Sequence, residues 1–257
     1  MEVGLNLYSI RDLIATEEGY IDTLKKLKEM GYSYVQFSGS GYDVDKIKRG
    51  IKESGLPVVL THVPQTRILN ETDKLIEEHL SFGCKNIGLG GFNQADKMTD
   101  DIWKKTIDAT NIAAEKMAKA GCKFFCHHHH YEFVKMANGK TIFDYIIENA
   151  PYINFTLDTY WLQYAGQNPV TYADKVNGRL ECVHLKDYRV NRNIVDNNPE
   201  FKPGFAPVGT GSLDMKAIIE NYKKNGAKYF LVEQDDATTY PDPLEQVKIS
   251  VDYLTKI

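Results

Sequence analysis

The sequence predicts an α/β fold, namely a (β/α)8 TIM barrel in which residues 1–257 form a single domain. First, eight short apolar runs alternate with stretches of helical periodicity along the chain. Second, these runs are apolar throughout, which is typical of parallel strands that helices cover on both faces. Third, polar residues of chemical interest directly follow several runs, and catalytic groups of such barrels lie at those strand ends.

The predicted strands are short and rich in β-branched and aromatic residues, and each runs into a glycine or a polar residue. They are Val3–Tyr8, Tyr34–Phe37, Val58–Thr61, Asn86–Leu89, Lys123–Cys126, Asn154–Leu157, Cys182–Val183 and Tyr229–Val232. No GxGxxG motif follows the first strand. Its absence disfavours a doubly wound sheet, the main rival fold, and we expect no nucleotide cofactor.

The predicted helices combine an apolar stripe with a glycine stop. In Glu17–Met30, residues Tyr20, Leu24 and Leu27 recur at steps of four and three, and Gly31 follows the last turn. The others are Asp43–Ser54, Glu71–Phe82, Asp101–Ala120, Thr141–Asn149, Asp214–Asn225 and Leu244–Leu254, with a short helical segment after Pro169.

The segment Tyr188–Gly211 is rich in Asn, Pro and Gly and exceeds the usual connection length. We predict that it is a loop that covers the active site. The overlapping motif PVGTGSLD, residues 207–214, combines glycines with a predicted helix start, a pattern that suits an anion at a helix N-terminus. It lacks the basic cluster of a phosphate site, so the motif by itself does not predict a phosphate.

Composition narrows the functional class. The chain is 42% hydrophobic and 26% charged, an ordinary globular balance, and its net charge of −4 lacks the basic footprint of a nucleic-acid binder. The N-terminus shows no signal-peptide pattern, and no apolar run approaches the ~18 residues of a membrane span. Four cysteines without CxxC spacing read as reduced thiols, so we expect a cytoplasmic protein: Cys84, Cys122, Cys126 and Cys182.

The strongest functional signal lies at four strand ends. Four of the seven histidines, His127–His130, directly follow the fifth strand. Asp158, His184 and Glu233 follow the sixth, seventh and eighth strands. Any one of these residues alone has an ordinary explanation as a hydrogen-bonded rim residue. Their coincidence at the same end of the barrel predicts that they meet in one metal-centred active site.

The ligand types indicate which metal such a site prefers. Histidine nitrogens together with carboxylate oxygens suit one divalent ion such as Mn, Zn, Co or Fe. Magnesium and calcium prefer shells made entirely of oxygen. A bound metal polarises a carbonyl oxygen, and Glu233 or a histidine would then transfer a proton at the adjacent carbon.

Strand alternation divides the histidine block into two faces. His127 and His129 share one face, whereas Cys126 and His128 share the other. Periodicity does not decide which face meets the cavity, and at least two of the four histidines are expected to be structural. His62, after the third strand, is explained equally well as a rim residue.

Five motifs carry a resemblance that covers essentially the whole chain. They are HHHHYEF at 127–133, LDTYW at 157–161, VHLKD at 183–187, PVGTGSLD at 207–214 and LVEQD at 231–235. With these motifs the chain resembles the sugar phosphate isomerase/epimerase family of xylose-isomerase-like TIM barrels. The resemblance implies a divalent metal at the barrel mouth, with Asp158, His184 and Glu233 as three of its ligands.

The fourth ligand position departs from the family pattern. Where ketose epimerases of this family carry a glutamate on the fifth strand, this chain has histidines and looks like a branch with an HxHxxEF motif. Aligning His127 with that glutamate makes it the fourth ligand, but a shift of one residue would place Cys126 there. Trp161 stands where the family usually has a histidine, and Glu233 is the only member left of the proton-transferring carboxylate pair.

These considerations give a set of expected roles. The metal ligands are His127, Asp158, His184 and Glu233, and the catalytic acid and base groups are Glu233 with His127 or His129. The expected substrate-binding residues are Tyr8, His62, Glu132, Trp161 and Lys186, where the aromatic rings form a wall for a sugar ring or simply pack at the rim.

Four functional hypotheses follow. The first is a metal-dependent isomerase or epimerase of a small carbohydrate, acting by proton abstraction next to a carbonyl. The alternative is a lyase or dehydratase that acts on a keto-sugar or keto-glycoside by β-elimination. A non-catalytic sugar-binding barrel is compatible with the lost glutamate, whereas an abasic-site endonuclease is disfavoured by the acidic net charge. We expect no nucleic-acid or membrane partner, and homo-oligomers are compatible with the resemblance.

Overall fold

Eight parallel strands close into a barrel in the computed structural model, which describes residues 1–176, 178–196 and 198–257 without the side chain of Asp96. The first and last barrel strands pair through Gly4 with Leu231 and Leu5 with Val232, which closes the sheet. Helices connect the strands and cover the outside. The predicted (β/α)8 barrel is therefore confirmed.

The barrel strands follow one another around the sheet in chain order. They are β1 (Gly4–Asn6), β2 (Tyr34–Phe37), β3 (Val58–His62), β4 (Asn86–Leu89), β5 (Lys123–His127), β6 (Ile153–Asp158), β7 (Cys182–Leu185) and β10 (Tyr229–Val232). Two further strands, β8 (Asp187–Val195) and β9 (Asn198–Ala206), form a separate antiparallel hairpin between β7 and β10.

The α-helices begin and end close to the predicted positions in most cases. They are α1 (Glu17–Met30), α2 (Val44–Ser54), α3 (Gln65–Asn70), α4 (Thr72–Ser81), α5 (Asp100–Lys119), α6 (Ile142–Asn149), α7 (Thr159–Tyr164), α8 (Met215–Lys224) and α9 (Pro243–Leu254). Side-chain caps fix several starts; Thr141, for example, accepts from the Asp144 N–H while the Asp144 carboxylate accepts from the Thr141 N–H.

Strand alternation separates an apolar floor from a polar mouth inside the barrel. A small cluster of buried residues packs in the interior: Tyr34, Leu60, Phe125, Cys182 and Leu231. Two residues further along the same strands, and so on the same face, stand Gln36, His62, His127, His184 and Glu233. The periodicity that packs the barrel therefore also delivers polar side chains to its C-terminal mouth.

A second, larger apolar layer lies between the barrel and the helices. Tyr20 and Leu24 of α1, Trp103 of α5 and Phe155 of β6 are all buried in it. Fully burying one such side chain contributes about 1.5–3 kcal/mol, so this layer is the main source of stability that holds the strands in register.

The predicted loop Tyr188–Gly211 is wrong over most of its length, because β8 and β9 form a hairpin there; Asn197, between them, lies outside the described residues. The Asn, Pro and Gly content suggested irregular backbone. Pro199 and Pro203 are nevertheless compatible with a strand. Backbone N–H groups alternate between the two edges of a strand, and residues four apart share an edge. Both missing N–H groups therefore fall on the edge of β9 that does not face β8, where no hydrogen bond to β8 is lost.

Three further elements differ from the sequence prediction. The first strand ends at Asn6 and is followed by a 3-10 helix, Leu7–Ile14. The predicted helix Glu71–Phe82 is shorter, and the additional helix α3 precedes it. Helix α7 was not predicted; it starts directly at the end of β6, where the Asp158 carboxylate accepts from the Trp161 N–H at 3.0 Å.

The structure bears on membrane spans and on the state of the cysteines. Within the described ranges, no helix is both long enough and apolar enough to cross a membrane. All four cysteines are buried and free.

Candidate functional site

The four residues of the expected metal site meet at the C-terminal mouth of the barrel. One ligand atom each from His127, Asp158, His184 and Glu233 lies within 4.8 Å of the others, and all four side chains are buried. His127 and Asp158 end β5 and β6, His184 is the last residue but one of β7, and Glu233 directly follows β10. Closure of the barrel therefore brings together side chains that are distant in the sequence.

The His127 ring is anchored on its outer nitrogen. Nδ1 lies 3.1 Å from the Gly90 carbonyl oxygen, which can only accept, so Nδ1 carries the proton. In the neutral ring Nε2 then holds a lone pair, and this atom lies 3.2 Å from Asp158 Oδ2. A hydrogen bond to the outer nitrogen is how metal-binding histidines are usually oriented.

The His184 ring has the same arrangement with its nitrogens exchanged. Nε2 lies 2.7 Å from Gln36 Oε1 and donates to it. Nδ1 lies 2.8 Å from Glu233 Oε2, and apart from the ion pair of Oε2 with Lys186 neither buried atom has a hydrogen-bond partner among the described residues. Two lone-pair-bearing atoms at this separation repel each other unless a cation lies between them.

The donor set fits a divalent metal. In the tautomers that Gly90 and Gln36 impose, two imidazole lone pairs face two carboxylate oxygens, so either an extra proton on each ring or a metal ion must compensate. Opposite ligands of one ion, bound at 2.0–2.2 Å, are about 4 Å apart, close to the spread of these four atoms. Mixed nitrogen and oxygen donors suit ions such as Mn, Zn, Co or Fe.

Lys186 places a positive charge beside the cluster. Its Nζ lies 3.0 Å from Asp158 Oδ2, 3.1 Å from Glu233 Oε2 and 3.0 Å from Asp235 Oδ1. Burial alone would lower the pKa of this ammonium, but attraction to the three carboxylates outweighs burial and raises the pKa well above its usual value. One ammonium among three carboxylates leaves room for a further cation.

The carboxylates respond differently to this environment. Burial opposes the charged forms of Asp158 and Glu233, but Lys186 and the neighbouring histidines outweigh it and hold the pKa of both below the ordinary range. Burial dominates for Asp235 and raises its pKa to about 6, because Lys186 is already shared with two other carboxylates. Asp158 and Glu233 are therefore carboxylates at neutral pH.

Sequence reasoning missed a supporting layer from β1 and β2. Asn6 Nδ2 donates to Glu233 Oε1 at 2.8 Å, and the Ser38 hydroxyl donates to Asn6 Oδ1. Gln36 orients His184. The available signal was a polar side chain at the inward positions of strands that are otherwise apolar, and Asp235, two residues beyond Glu233, followed the same rule.

The structure decides which histidines of the block face the cavity. His127 and His129 do, whereas His128 packs outward against Phe133 and Phe143 and accepts from the Asp158 N–H at 3.1 Å. His130 is exposed.

The alternative ligand Cys126 lies on the outward side of β5. It belongs to the apolar layer between the barrel and the helices, and burial raises the pKa of its thiol well above the usual value. His127, and not Cys126, therefore lies at the cluster.

A cavity of about 320 Å³ opens above the cluster. Its lining is mostly polar or small: Tyr8, Ser38, Gly39, His62, Gly90, His127, His129, Lys186, Glu233 and Asp235. Two of the expected substrate-binding residues do not line it. Trp161 packs against His129 and His130 on the outer side of the mouth, with ring centroids 5.2 and 5.3 Å apart, and Glu132 lies below the histidine block.

Residues 24–257 match the sequence profile of the xylose isomerase-like TIM barrel family. The chain belongs to this family. The barrel topology agrees with this assignment, and the match covers almost the whole length of the chain.

Individual relatives of this xylose isomerase-like barrel are distant. An inosose dehydratase of Clostridium botulinum is 27% identical over 155 residues, which cover 57% of this chain and 51% of that protein, about half of its length. Two solved structures share the fold. A sugar phosphate isomerase/epimerase from Parabacteroides distasonis has a TM-score of 0.78 at 20% identity, covering 98% of this chain and 93% of the other. A Mycobacterium smegmatis barrel in complex with magnesium has a TM-score of 0.74 at 13% identity, covering 99% and 95%.

A larger cavity, about 560 Å³, lies at the opposite, N-terminal end of this xylose isomerase-like barrel. Glu181 in its wall is paired with Lys123 and Lys228. No residue that lines this larger cavity belongs to the candidate metal-binding cluster found among the described residues. Chemistry in barrels of this type takes place at the C-terminal end, so the smaller cavity is the candidate active site.

The anion site suggested by PVGTGSLD is filled by the protein itself. Asp187 Oδ2 accepts from the Gly209 and Gly211 N–H groups, both at 2.9 Å, and Oδ1 accepts from Leu213 N at 3.2 Å and from Tyr188 N at 2.8 Å. The backbone donors that an external anion would need are therefore already used. The motif fixes the loop after the hairpin in this barrel.

Glu132, expected to bind substrate, has a structural position instead. It is 0% exposed, and its Oε2 accepts from the His129 N–H at 2.9 Å while Oε1 has no partner among the described residues. Burial raises the pKa of this carboxyl to about 8, so it holds its proton at neutral pH. It supports the backbone of the histidine block from below.

We expect Glu132→Gln to stabilise the protein increasingly as pH rises from 4.5 to 8. In this range the unfolded chain releases the Glu132 proton while the folded protein retains it, so wild-type stability falls as pH rises through the window. Glutamine carries no titrating proton but keeps an oxygen for the His129 N–H. Urea unfolding should show no difference near pH 4.5 and a gain on the order of 2–4 kcal/mol at pH 8.

The comparison of the two proteins at each pH cancels the titration of other buried groups, including the histidines. Exposed Glu148, replaced by Gln, is the matched control and should show no gain in stability at pH 8. A constant difference for Glu132→Gln would show that this carboxyl does not titrate between the two states.

Proposed function

We propose that this chain is a metal-dependent enzyme that transfers a proton at a carbon next to the carbonyl group of a small carbohydrate, as an isomerase or epimerase. The buried cluster of two histidines and two carboxylates at the floor of a polar cavity carries the proposal. A divalent ion held by His127, Asp158, His184 and Glu233 would polarise the carbonyl oxygen and stabilise the negative charge that develops.

Glu233 is proposed as the base that removes the proton. It lines the cavity, its pKa is held low so that it is a carboxylate, and the Asn6 amide fixes one of its oxygens at 2.8 Å. Lys186, in the same wall, is proposed to donate a hydrogen bond to the substrate oxygen that gains negative charge.

Glu233, protonated by the abstraction, is proposed to return the proton, and His129 is proposed to hold the reacting part of the substrate with a hydrogen bond. Burial and the neighbouring His127 lower the pKa of its imidazole to about 2, so the ring is neutral. Tyr131 fixes it, because the hydroxyl lies 2.7 Å from Nδ1. We assign His127 to the metal alone, since its two nitrogens are already directed at Gly90 and Asp158. Tyr8 and His62 are proposed to position the sugar.

A second candidate is a dehydratase or lyase acting on a keto-sugar or keto-glycoside. The similarity to inosose dehydratases favours it, as does a single carboxylate base opposite neutral histidines. Both reactions begin with the same proton abstraction, after which elimination expels water or an alcohol from the next carbon. Glu233, which then carries the abstracted proton, would give it to that leaving group, and His62 or His129 would orient the leaving group by a hydrogen bond.

The decisive first experiment measures metal content together with product mass. We expect about one transition metal ion per wild-type chain, with binding at least 100-fold weaker in His184→Ala and Asp158→Asn, because each loses a ligand. His79→Ala, which removes a buried histidine far from the cluster, is the matched control and should keep the metal.

A screen of ketoses and keto-glycosides in deuterated water then tests the chemistry. Incorporation of deuterium next to the carbonyl without loss of mass supports an isomerase or epimerase, whereas a product lighter by water or by an alcohol supports elimination. Wild-type protein that binds none of manganese, zinc, cobalt and iron would refute the metal-dependent proposal.

A further inference from the structure

A second cavity of about 440 Å³ adjoins the candidate active site. It lies over the ends of β2, β3 and β4, at the same C-terminal mouth of the barrel. His62 and Gly90 line both cavities and form their common wall. The polar cavity above the metal cluster is called the inner cavity below, and this neighbour is called the outer cavity.

The common wall is narrow because Gly90 has no side chain. A Cβ atom at Gly90 would lie 2.8 Å from His62 Nδ1, so a larger residue would displace the imidazole. His62 Nε2 is buried and has no hydrogen-bond partner among the described residues. A ligand that crosses from one cavity to the other passes this unpaired nitrogen.

The outer cavity has an aromatic side chain in its wall. Tyr42 is half-buried and stacked on His79, whereas Phe92, packed on Trp103, is 4% exposed and adds little surface. These ring contacts fix the aromatic surfaces before a ligand arrives, which lowers the entropic cost of binding.

Gln65 supplies a buried polar group in the outer cavity. The residue is 7% exposed, and its Oε1 accepts from the Asn93 N–H at 2.8 Å. That bond fixes the amide orientation, and among the described residues Nε2 has no hydrogen-bond partner. Its two N–H groups are available to a ligand hydroxyl.

We propose that the outer cavity binds a second sugar ring, so that the substrate class is a keto-glycoside or keto-disaccharide and not a free monosaccharide. The inference rests on the proposed function for the ring that reacts in the inner cavity. The second ring packs against Tyr42 and accepts a hydrogen bond from Gln65 Nε2. The bond that joins the rings lies beside His62. The two cavities together fall within the range of roughly 300–1,000 Å³ of small-molecule sites.

Binding calorimetry with the metal-loaded protein tests the proposal without requiring turnover. The probes are fructose and three disaccharides that attach a second ring to fructose at different hydroxyls: turanose, lactulose and isomaltulose. We expect at least one disaccharide to bind about tenfold or more tightly than fructose. Equal or weaker binding of all three, or no binding of any probe, would overturn the proposal.

Two variants locate the gain in the outer cavity. Gly41 lines the cavity, and a Cβ atom added there meets no atom within 4 Å, so Gly41→Leu adds bulk without a clash. It should abolish the tenfold preference and leave fructose affinity unchanged. Gln65→Glu keeps an oxygen for the Asn93 N–H and should reduce the preference about 2–10-fold through loss of the amide donor. Thr66→Leu, the next residue and exposed, lines neither cavity and should change nothing.

Equal weakening of fructose and disaccharide by Gly41→Leu would show that fructose itself depends on the outer cavity, and an unchanged preference would place the second ring elsewhere. Either result would refute the outer subsite. The proposed chemistry fails separately, through absence of deuterium incorporation into every substrate. A disaccharide preference without any proton transfer would therefore retain the outer subsite and reject the isomerase or dehydratase reading.

Discussion

Glu233→Gln is expected to lower the rate of proton transfer by about 10²–10⁴-fold, the contribution of a positioned base. The substitution keeps the shape of the side chain and an oxygen that can accept from the Asn6 amide. In the wild-type protein this amide donates to Glu233 Oε1 at 2.8 Å. It removes the charge that Lys186 and His184 stabilise and the capacity to accept a proton. Deuterium incorporation into substrate, followed by NMR, measures the step directly.

Metal content distinguishes the two roles assigned to Glu233. If the variant retains the metal and loses exchange, the carboxylate acts as the base; if it loses both, the carboxylate acts at least as a ligand. Glu181→Gln, at the opposite end of the barrel, is the matched control and should leave exchange unchanged. Wild-type exchange rates in Glu233→Gln with its metal bound would assign the base to another residue, with His129 the first to test.

The barrel was predictable because its signals are local and repeated. Each strand is an apolar run followed by a helix with its own stripe and stop, and α1 shows both in Tyr20, Leu24 and Gly31. The hairpin β8–β9 has no such signals. Its stability comes from pairing between residues such as Asn191 and Lys202, and composition alone suggested a loop.

The meeting of His127, Asp158, His184 and Glu233 was predictable because a barrel places strand ends together, whatever their sequence separation. The supporting residues required one more step. Every second residue of a strand faces the barrel interior. Two residues after Glu233 comes Asp235, and two and four residues after Tyr34 come Gln36 and Ser38. All three form hydrogen bonds or ion pairs with residues of the site. The roles of Glu132 depended on depth below the surface, which strand periodicity does not encode.

The tautomers of His127 and His184 could not be predicted from the sequence either, because they depend on contacts between distant residues. His127 and His184 use different nitrogens toward the cluster because one is anchored by the Gly90 carbonyl and the other by the Gln36 amide. Gln36, the partner of His184, lies on β2, across the barrel from β7. Gly90, the partner of His127, directly follows β4, which is the neighbour of β5. Only the closed sheet defines them.

Lys186→Met is expected to destabilise the metal-free protein by about 3–5 kcal/mol, because it leaves buried like charges without their partner. The ammonium contacts three carboxylates at 3.0–3.1 Å and is 1% exposed. Methionine has a similar length and no charge, so the loss reports electrostatics and not a cavity. Urea unfolding at neutral pH with a chelator present measures it.

Addition of manganese should restore part of that stability, because a cation bound to the folded state alone shifts the unfolding equilibrium toward it. The gain should be larger in Lys186→Met than in wild type, since the cluster has lost a competing positive charge. Lys46→Met is the matched control. That lysine is also buried but donates to the Ile14 carbonyl and to Ser40, so its loss should be insensitive to manganese. Equal manganese stabilisation of both lysine variants would show that Lys186 and the metal do not share the same carboxylates.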